Sequence, residues 1–564
     1  MRIIYIAICA TLTLAGCKKY QDNGPLEYLT ENDIFNPLDK NGTRAQQFLN
    51  DIYANMPTGF NRIDGNFLDA ATDDAMPSQE GTNVENITYA RISSVVTNPD
   101  GAWGKNYTGI HDVNLFLKKI DIVPRPTDVP FWKAEARFLR AFFYFELVKR
   151  YGGVPLIGDT VFNYTDDLQK ARNTFEECVN YIVAECDAIK DKVKPEPLQS
   201  ADWGRISRGA VMALKSRVLL YAASDLYNGG VPAEASAAQK PLQGYPTYDL
   251  SRWDKAAKAA QDIINLSGAP YGLETTVNNV FLNRKTKETI LSFLRGTSSD
   301  IETNNGPVGF FNQASGNGMT SPTQNLVNAF PMLSGKAITD NGSLYDPANP
   351  YNNRDPRLAL TVLYNGATWL NRKIETFEGG LDKPNRNRSV QTKTGYYLRK
   401  FMGNFATATQ YAASNHNFVI FRYAEIMLNY AEAQNEFAGP SDPVYKVLYD
   451  LRKRAGIQAG ADQRYGLKYP MSQIELKEAI RNERRIEMAF EEQRYWDIRR
   501  WKIAGTTFNK ELKGMKIIKD ANGNFSYQEV TAGKIVFADP KMYLYPVSFT
   551  ETSKNSNLVQ NSGW

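Results

Sequence analysis

Two adjacent carboxylates, Asp73 and Asp74, and a run dense in carboxylates and guanidiniums at residues 481–501 are the features of this chain that could do acid–base chemistry. A glycoside hydrolase needs two carboxyls about 5 to 9 Å apart on opposite sides of the scissile bond, and neighbours in sequence rarely face each other in that way. In the later run, Arg481-Asn-Glu-Arg-Arg-Ile-Glu-Met-Ala-Phe-Glu-Glu-Gln-Arg-Tyr-Trp-Asp-Ile-Arg-Arg-Trp501, the apolar residues Ile486, Ala489, Phe490, Ile498 and Trp501 share half of a helical wheel. Glu491 with Arg494 and Asp497 with Arg500 fall at i,i+3, so the run reads as a packed helix laced with ion pairs rather than as an acid/base centre. Histidine chemistry lacks material: His111 and His416 are the only two, far apart and without metal-ligand spacing. No metal, no cofactor and no catalytic residue is expected.

The other residue with chemistry is Cys17. Met1-Arg2 carries one positive charge, and the apolar stretch 3–14 has the length of a secretion signal's core and is too short to span a bilayer. Leu14-Ala15-Gly16-Cys17 resembles the bacterial lipobox, in which the cysteine is diacylated and the peptide is cut just before it. Residues 1–16 are therefore read as a signal peptide, Cys17 as the lipidation site and membrane anchor, and 17–40, polar and broken by Pro25 and Pro37, as a tether. Cys178 and Cys186 lie eight residues apart in a helical pattern, about 12 Å along the axis and beyond disulfide reach, so they read as small core residues. The formal charge of +5 is small for 564 residues and unclustered, which argues against a nucleic-acid partner. Hydrophobic content of 42% allows a large core.

The positioning elements are mostly helical. Residues 128–151 carry Phe138, Leu139, Phe142, Phe143, Phe145, Leu147 and Val148 over most of the helix surface, and Gly152-Gly153 and Pro155 end them. Segments 207–227 and 253–266 alternate large residues with alanine at contact positions, like a tetratricopeptide pair, although a loop of roughly 25 residues replaces the tight turn. Residues 421–437 and 444–455 form a similar pair. Between them, about 268–420, the chain turns to glycine, asparagine, proline and short strand-like runs (289–294, 395–400), the kind of long irregular segment that binds ligands. Residues 515–519 and 525–530 flank an Asn-Gly turn and read as a hairpin; the loop between them lacks the glycine offset and twelfth-position glutamate of a calcium loop.

Five ordered motifs carry a family resemblance. They are Glu135-Ala-Arg-Phe-Leu-Arg-Ala-Phe-Phe-Tyr-Phe with Arg150-Tyr-Gly-Gly-Val-Pro-Leu156, Asn349-Pro-Tyr-Asn-Asn-Arg-Asp-Pro-Arg-Leu358, Arg422-Tyr-Ala-Glu-Ile-Met-Leu-Asn-Tyr-Ala-Glu-Ala433, the 481–501 run, and Asn557-Leu-Val-Gln-Asn-Ser-Gly-Trp564. Together with the lipobox they resemble the SusD/RagB-like outer-membrane lipoproteins over essentially the whole mature chain. The resemblance implies a mainly α fold with a tetratricopeptide-like helix-pair scaffold (about 105–267 and 421–501) inside a domain spanning 41–564, with loops and small strands as the binding face. It also implies surface exposure at the outer membrane, a SusC-like TonB-dependent barrel as partner, and capture of an oligosaccharide without catalysis.

In that family, ligand contacts come largely from the segments matching 68–86 and 302–324. Here the first has no aromatic residue to stack on a sugar and offers Asp73, Asp74, Met76, Gln79, Glu80 and Asn83; the second offers Phe310, Phe311, Asn312, Asn317 and Met319, after Asn304 and Asn305. The candidate ligand residues are Asp73, Asp74, Asn83, Phe310, Phe311, Asn317 and Met319. The two phenylalanines either stack on ligand or anchor their loop. Trp103, in a helical core pattern, reads as scaffold, and Trp369 is a weak candidate. Peptide capture by the same lid is an alternative that the aromatic-poor first segment keeps open, and an α-rich glycoside hydrolase is a third.

Overall fold

A computed structural model of the chain describes residues 30–163, 165–313, 316–385, 390–403, 405 and 413–564, with the side chains of 311–313 excepted. The expected signal peptide, Cys17 and most of the expected tether lie outside the described residues. The stretch up to residue 40 is not wholly extended: Glu31–Ile34 form one helical turn, whose start is closed by Thr30 donating from its backbone N–H and its hydroxyl to Asp33 at 2.9 and 2.7 Å.

The scaffold helices are α1 (Thr43–Ala54), α2 (Trp103–Lys119), α3 (Val129–Tyr151), α4 (Phe175–Ile189), α5 (Arg208–Ala223), α6 (Ser251–Ile264), α7 (Tyr423–Ala438), α8 (Asp442–Ala455), α9 (Gln473–Glu487) and α10 (Gln493–Arg500). Helix α3 is the central one. Pro130 fits its first turn, every residue from Phe138 to Tyr151 is buried, and it stops at Gly152, which has φ +78°. A side chain at Gly152 would come within 2.3 Å of the Leu242 carbonyl oxygen and one at Gly153 within 2.1 Å of that of Asn173, so the chain turns here only with glycine.

Alanine does the work expected of it between α5, α6 and α7. Leu220 and Ala223, Trp253, Ala256 and Ala257, and Ala433 form one small buried cluster. Helix α6 thus lies against both α5 and α7, and the two helix-pair segments become one continuous stack. Cys178 and Cys186 are buried, free thiols.

The 481–501 run is not a single helix. It breaks into α9 and α10 across residues 488–492, where Phe490 and Glu492 take left-handed conformations with φ +61° and +60°. The break redirects the carboxylates. Glu491 pairs with Arg422 and Lys400, each at 2.7 Å, instead of with Arg494, whereas Asp497 and Arg500 do pair at 2.8 Å. Helix α10 and the last turn of α9 are buried, so these charges lie inside the protein rather than on a solvated face.

Between the helical segments the chain forms short elements. Every sheet among the described residues is a pair of antiparallel strands. The pairs that matter here are β1 (Ala75–Pro77) with β3 (Thr320–Pro322), and β2 (Thr289–Phe293) with β4 (Phe418–Arg422). A hairpin, β5 (Glu511–Lys519) and β6 (Phe525–Lys534), closes over Gly523 at φ +89°, with the Asp520 carboxylate accepting from the N–H groups of Asn522 and Asn524.

Candidate functional site

The site grows outward from the α9–α10 break. Asp69 accepts from the Phe490 N–H at 3.1 Å. Asp73 receives two hydrogen bonds from Arg494, both 2.9 Å, and one from Arg485, also 2.9 Å; Asp74 takes 2.7 Å from Arg485. Burial opposes the charge on Asp73, but Arg485 and Arg494 outweigh it and hold its carboxyl down at about 2. Asp74 is pushed up by burial and by its charged neighbour Asp73. Burial, with Asp74 and Glu492 close by, raises Asp69 to about 8. These carboxylates pin the 68–77 loop to the scaffold. Asp73 and Asp74, expected to meet ligand, are 7% and 1% exposed and committed to guanidiniums, so their role is to hold the loop.

Above this anchor, three segments are stitched edge to edge. The turn at 61–65 has left-handed residues at Asn61, Asp64 and Gly65. Asn61 donates to the Asp300 carboxylate at 3.0 Å and accepts from Asn305 at 2.8 Å. Asp64 accepts from the backbone N–H of Asn83 at 2.6 Å and from its side chain at 3.2 Å. The backbone of 317–319 follows 303–306, with Asn317 N–H on the Thr303 carbonyl at 2.8 Å and Met319 N–H on that of Asn304 at 2.9 Å; β1 and β3 continue the seam. Burial works against the charge on Asp300, yet Arg295, Ser298 and Asn61 keep its carboxyl below the usual range.

Of the seven sequence candidates, Asn83, Asn317 and Met319 belong to this junction. Asn83 is exposed, Asn317 half-buried and Met319 9% exposed beneath them. Phe310 lies in a neighbouring turn; its ring packs edge-on against Trp369 at 5.2 Å, with the Arg372 guanidinium 4.0 Å above it, so it anchors its loop while keeping one partly open edge. The Phe311 side chain lies outside the described residues. Trp369 is 2% exposed and belongs to the core. Trp103 packs against the hydrophobic core, as expected of a scaffold residue, and is half-buried.

Asn61 and Asp64, which help to join these segments, are not among the sequence candidates. Their only local sign is Asn-Arg-Ile-Asp-Gly, a turn-type run, which gives no hint that it meets residue 300. Behind the face, His416 is buried, 3.1 Å from Glu302 and 3.0 Å from the Ser414 hydroxyl, a structural arrangement. Burial lowers Arg399 to about 10 against the pull of Glu302. Among the described residues no group of carboxylates, histidines and cysteines is arranged to hold a metal, and no helix is long and apolar enough to cross a membrane. The surface therefore offers amides, a carboxylate and a few ring edges, groups that bind hydroxyls or peptide bonds.

Comparison with known proteins gives two family matches, "SusD family" over residues 287–564 and "Starch-binding associating with outer membrane" over 27–220. A curated relative, SusD-like protein P2 of Formosa agariphila, is 24% identical over 98% of both chains. A crystal structure of a SusD-like protein from Bacteroides fragilis covers 96% of this chain and 100% of its own at 24% identity, with a TM-score of 0.76. A laminarin-binding SusD-like protein matches 93% of this chain and 100% of its own at 20% identity, with a TM-score of 0.64. The mainly α, helix-pair architecture is the fold of these structures.

Proposed function

This chain belongs to the SusD/RagB-like family, and we propose that it binds oligosaccharide at the cell surface and hands it, unmodified, to a SusC-like TonB-dependent barrel. The observation that carries this reading is the stitched loop face: three segments distant in sequence converge to display Asp64, Asn83, Asn304 and Asn317 over an anchor of buried ion pairs. Amides and a carboxylate on a rigid surface suit the paired hydroxyls of a sugar. The family descriptions, starch binding in association with the outer membrane, and the laminarin-binding relative support the ligand class. The Leu-Ala-Gly-Cys17 sequence supports lipid anchoring at Cys17.

Binding without catalysis fits the state of the paired carboxylates. Asp73 is held ionised between two arginines and Asp74 faces the same arginine, so neither is free to trade a proton with a glycosidic oxygen. Peptide capture is the second reading, favoured by one observation: the face presents backbone-like amides and few exposed rings. Calorimetry with starch- and laminarin-derived oligosaccharides and with mixed peptides separates the two. Saturable heat with saccharides only supports the proposal, and heat with peptides only replaces it.

A further inference from the structure

Aromatic surface that the loop face lacks is present elsewhere. A cleft of about 670 Å³ opens between the first turns of α2, residues 155–162 and 166–170, and the helical turn Phe549–Lys554. Its volume falls within the range of small-molecule sites. Trp103 and Tyr107 stand one helical turn apart on α2, with ring centroids 5.1 Å from each other; Tyr151 backs Trp103 edge-on at 5.1 Å, and the Tyr107 hydroxyl donates to the Pro155 carbonyl at 2.9 Å. The pair is thus a braced wall rather than loose surface. Phe162 adds a third ring.

Two polar groups beside this wall are free to bind. Neither the Trp103 indole N–H nor the Glu551 carboxylate has a hydrogen-bond partner among the described residues. Asp166, Gln169 and Lys170 are exposed at the rim, and Gln169 is fixed by donating to the Lys554 carbonyl at 2.6 Å. Acidic and basic groups nearly balance there, which suits a neutral polyol better than a charged polymer. The molecule's larger cleft, about 1090 Å³ beside α3, makes the contrast: prolines, arginines and lysines line it, and no aromatic ring does.

We propose that the Trp103–Tyr107 cleft is a second saccharide-binding site, separate from the loop face, which takes a neutral pyranose unit with its apolar face on the two rings. The rings supply area at little entropic cost, and the rim groups take the hydroxyls. The inference rests on the carbohydrate-binding reading of the previous subsection. Two sites on one chain would hold a long glycan by effective concentration, with either site releasing while the other retains.

The test is calorimetric titration of the purified chain with laminarin- and starch-derived oligosaccharides, repeated for Phe162→Ala, Trp103→Ala and Asn83→Ala, with thermal melting of each variant. Phe162 lies outside the core cluster, so its variant keeps the test valid even if Trp103→Ala unfolds. Two binding events per chain are expected, one weakened by about tenfold or more in the Phe162 and Trp103 variants and left intact in Asn83→Ala. A single event that Asn83→Ala weakens and the ring variants do not would overturn the second site and leave the loop-face reading standing. No heat with any saccharide would overturn both.

Discussion

Arg494 donates from Nε and Nη2 to the two carboxylate oxygens of Asp73, each at 2.9 Å, clamping an early loop to a helix 421 residues further along the chain. The pair is buried and bidentate, and Arg485 shares both Asp73 and Asp74. The geometry of the loop face therefore depends on ion pairs buried beneath it.

Removing one partner of this clamp leaves a buried charge unpaired. Arg494→Ala is expected to cost about 3–5 kcal/mol in urea unfolding, and to loosen the 68–77 loop as read by faster amide exchange there. A loss below about 1 kcal/mol, within the range of exposed pairs, would show that the clamp is incidental.

The same clamp sets an acid limit. Burial alone would raise Asp73, but the arginines depress it to about 2 in the folded state, below its value in the unfolded chain. Its contribution is present above pH of about 4 and is lost as the pH falls from there towards 2. Asp73→Asn should flatten the acid limb of a stability-against-pH curve, and an unchanged limb would assign acid unfolding to other carboxylates.

Asp69 behaves in the opposite sense. Burial, together with Asp74 and Glu492, raises it to about 8, so the folded state holds its proton more tightly than the unfolded chain does. Its contribution is complete below the unfolded value and falls as the pH rises from about 4 through 8. Asp69→Asn keeps an acceptor for the Phe490 N–H and removes the titration. Relative to wild type it should gain on the order of a few kcal/mol between pH 5 and pH 9. Parallel curves for the two proteins would exclude a protonated Asp69.

At the face itself, substitution should alter binding without altering stability. Asn83 is exposed, and its side chain makes one 3.2 Å bond to Asp64. Asn83→Ala and Asn317→Ala are each expected to weaken saccharide binding by about tenfold, equivalent to ~1.4 kcal/mol, with melting temperatures unchanged. Loss of melting temperature in step with affinity would make these residues structural.

Anchoring is tested separately. Cys17→Ala should move the chain from the membrane to the soluble fraction after cell lysis, with saccharide affinity retained. Membrane association that survives the substitution would rule out Cys17 as the anchor.

Periodicity made some of this structure legible. The apolar cover of Phe138 to Val148 marks α3, the alanines of 253–266 mark the tight contact with α5, and Asn-Gly marks the hairpin, because each signal is local. The α9–α10 break was hidden, since residues 481–501 keep a helical pattern through Phe490 and Glu492. The left-handed turn is favoured instead by cations on other segments, Arg422 and Lys400 for Glu491 and Arg62 for Glu492. Asp73 and Asp74 looked like surface ligand groups for the same reason: their partners are more than 400 positions away. The segments of the loop face come from family resemblance more than from pattern, which is why Asn83, Asn317 and Met319 are among the candidates and Asn61 and Asp64 are not.

The most direct measurement is calorimetric titration of the purified chain with starch- and laminarin-derived oligosaccharides, with the saccharide recovered and sized afterwards. Saturable binding, weakened in Asn83→Ala, with every chain recovered at its original length, is the expected result. Shortened saccharide would contradict capture without catalysis, and an absence of binding to any saccharide would contradict the ligand class itself.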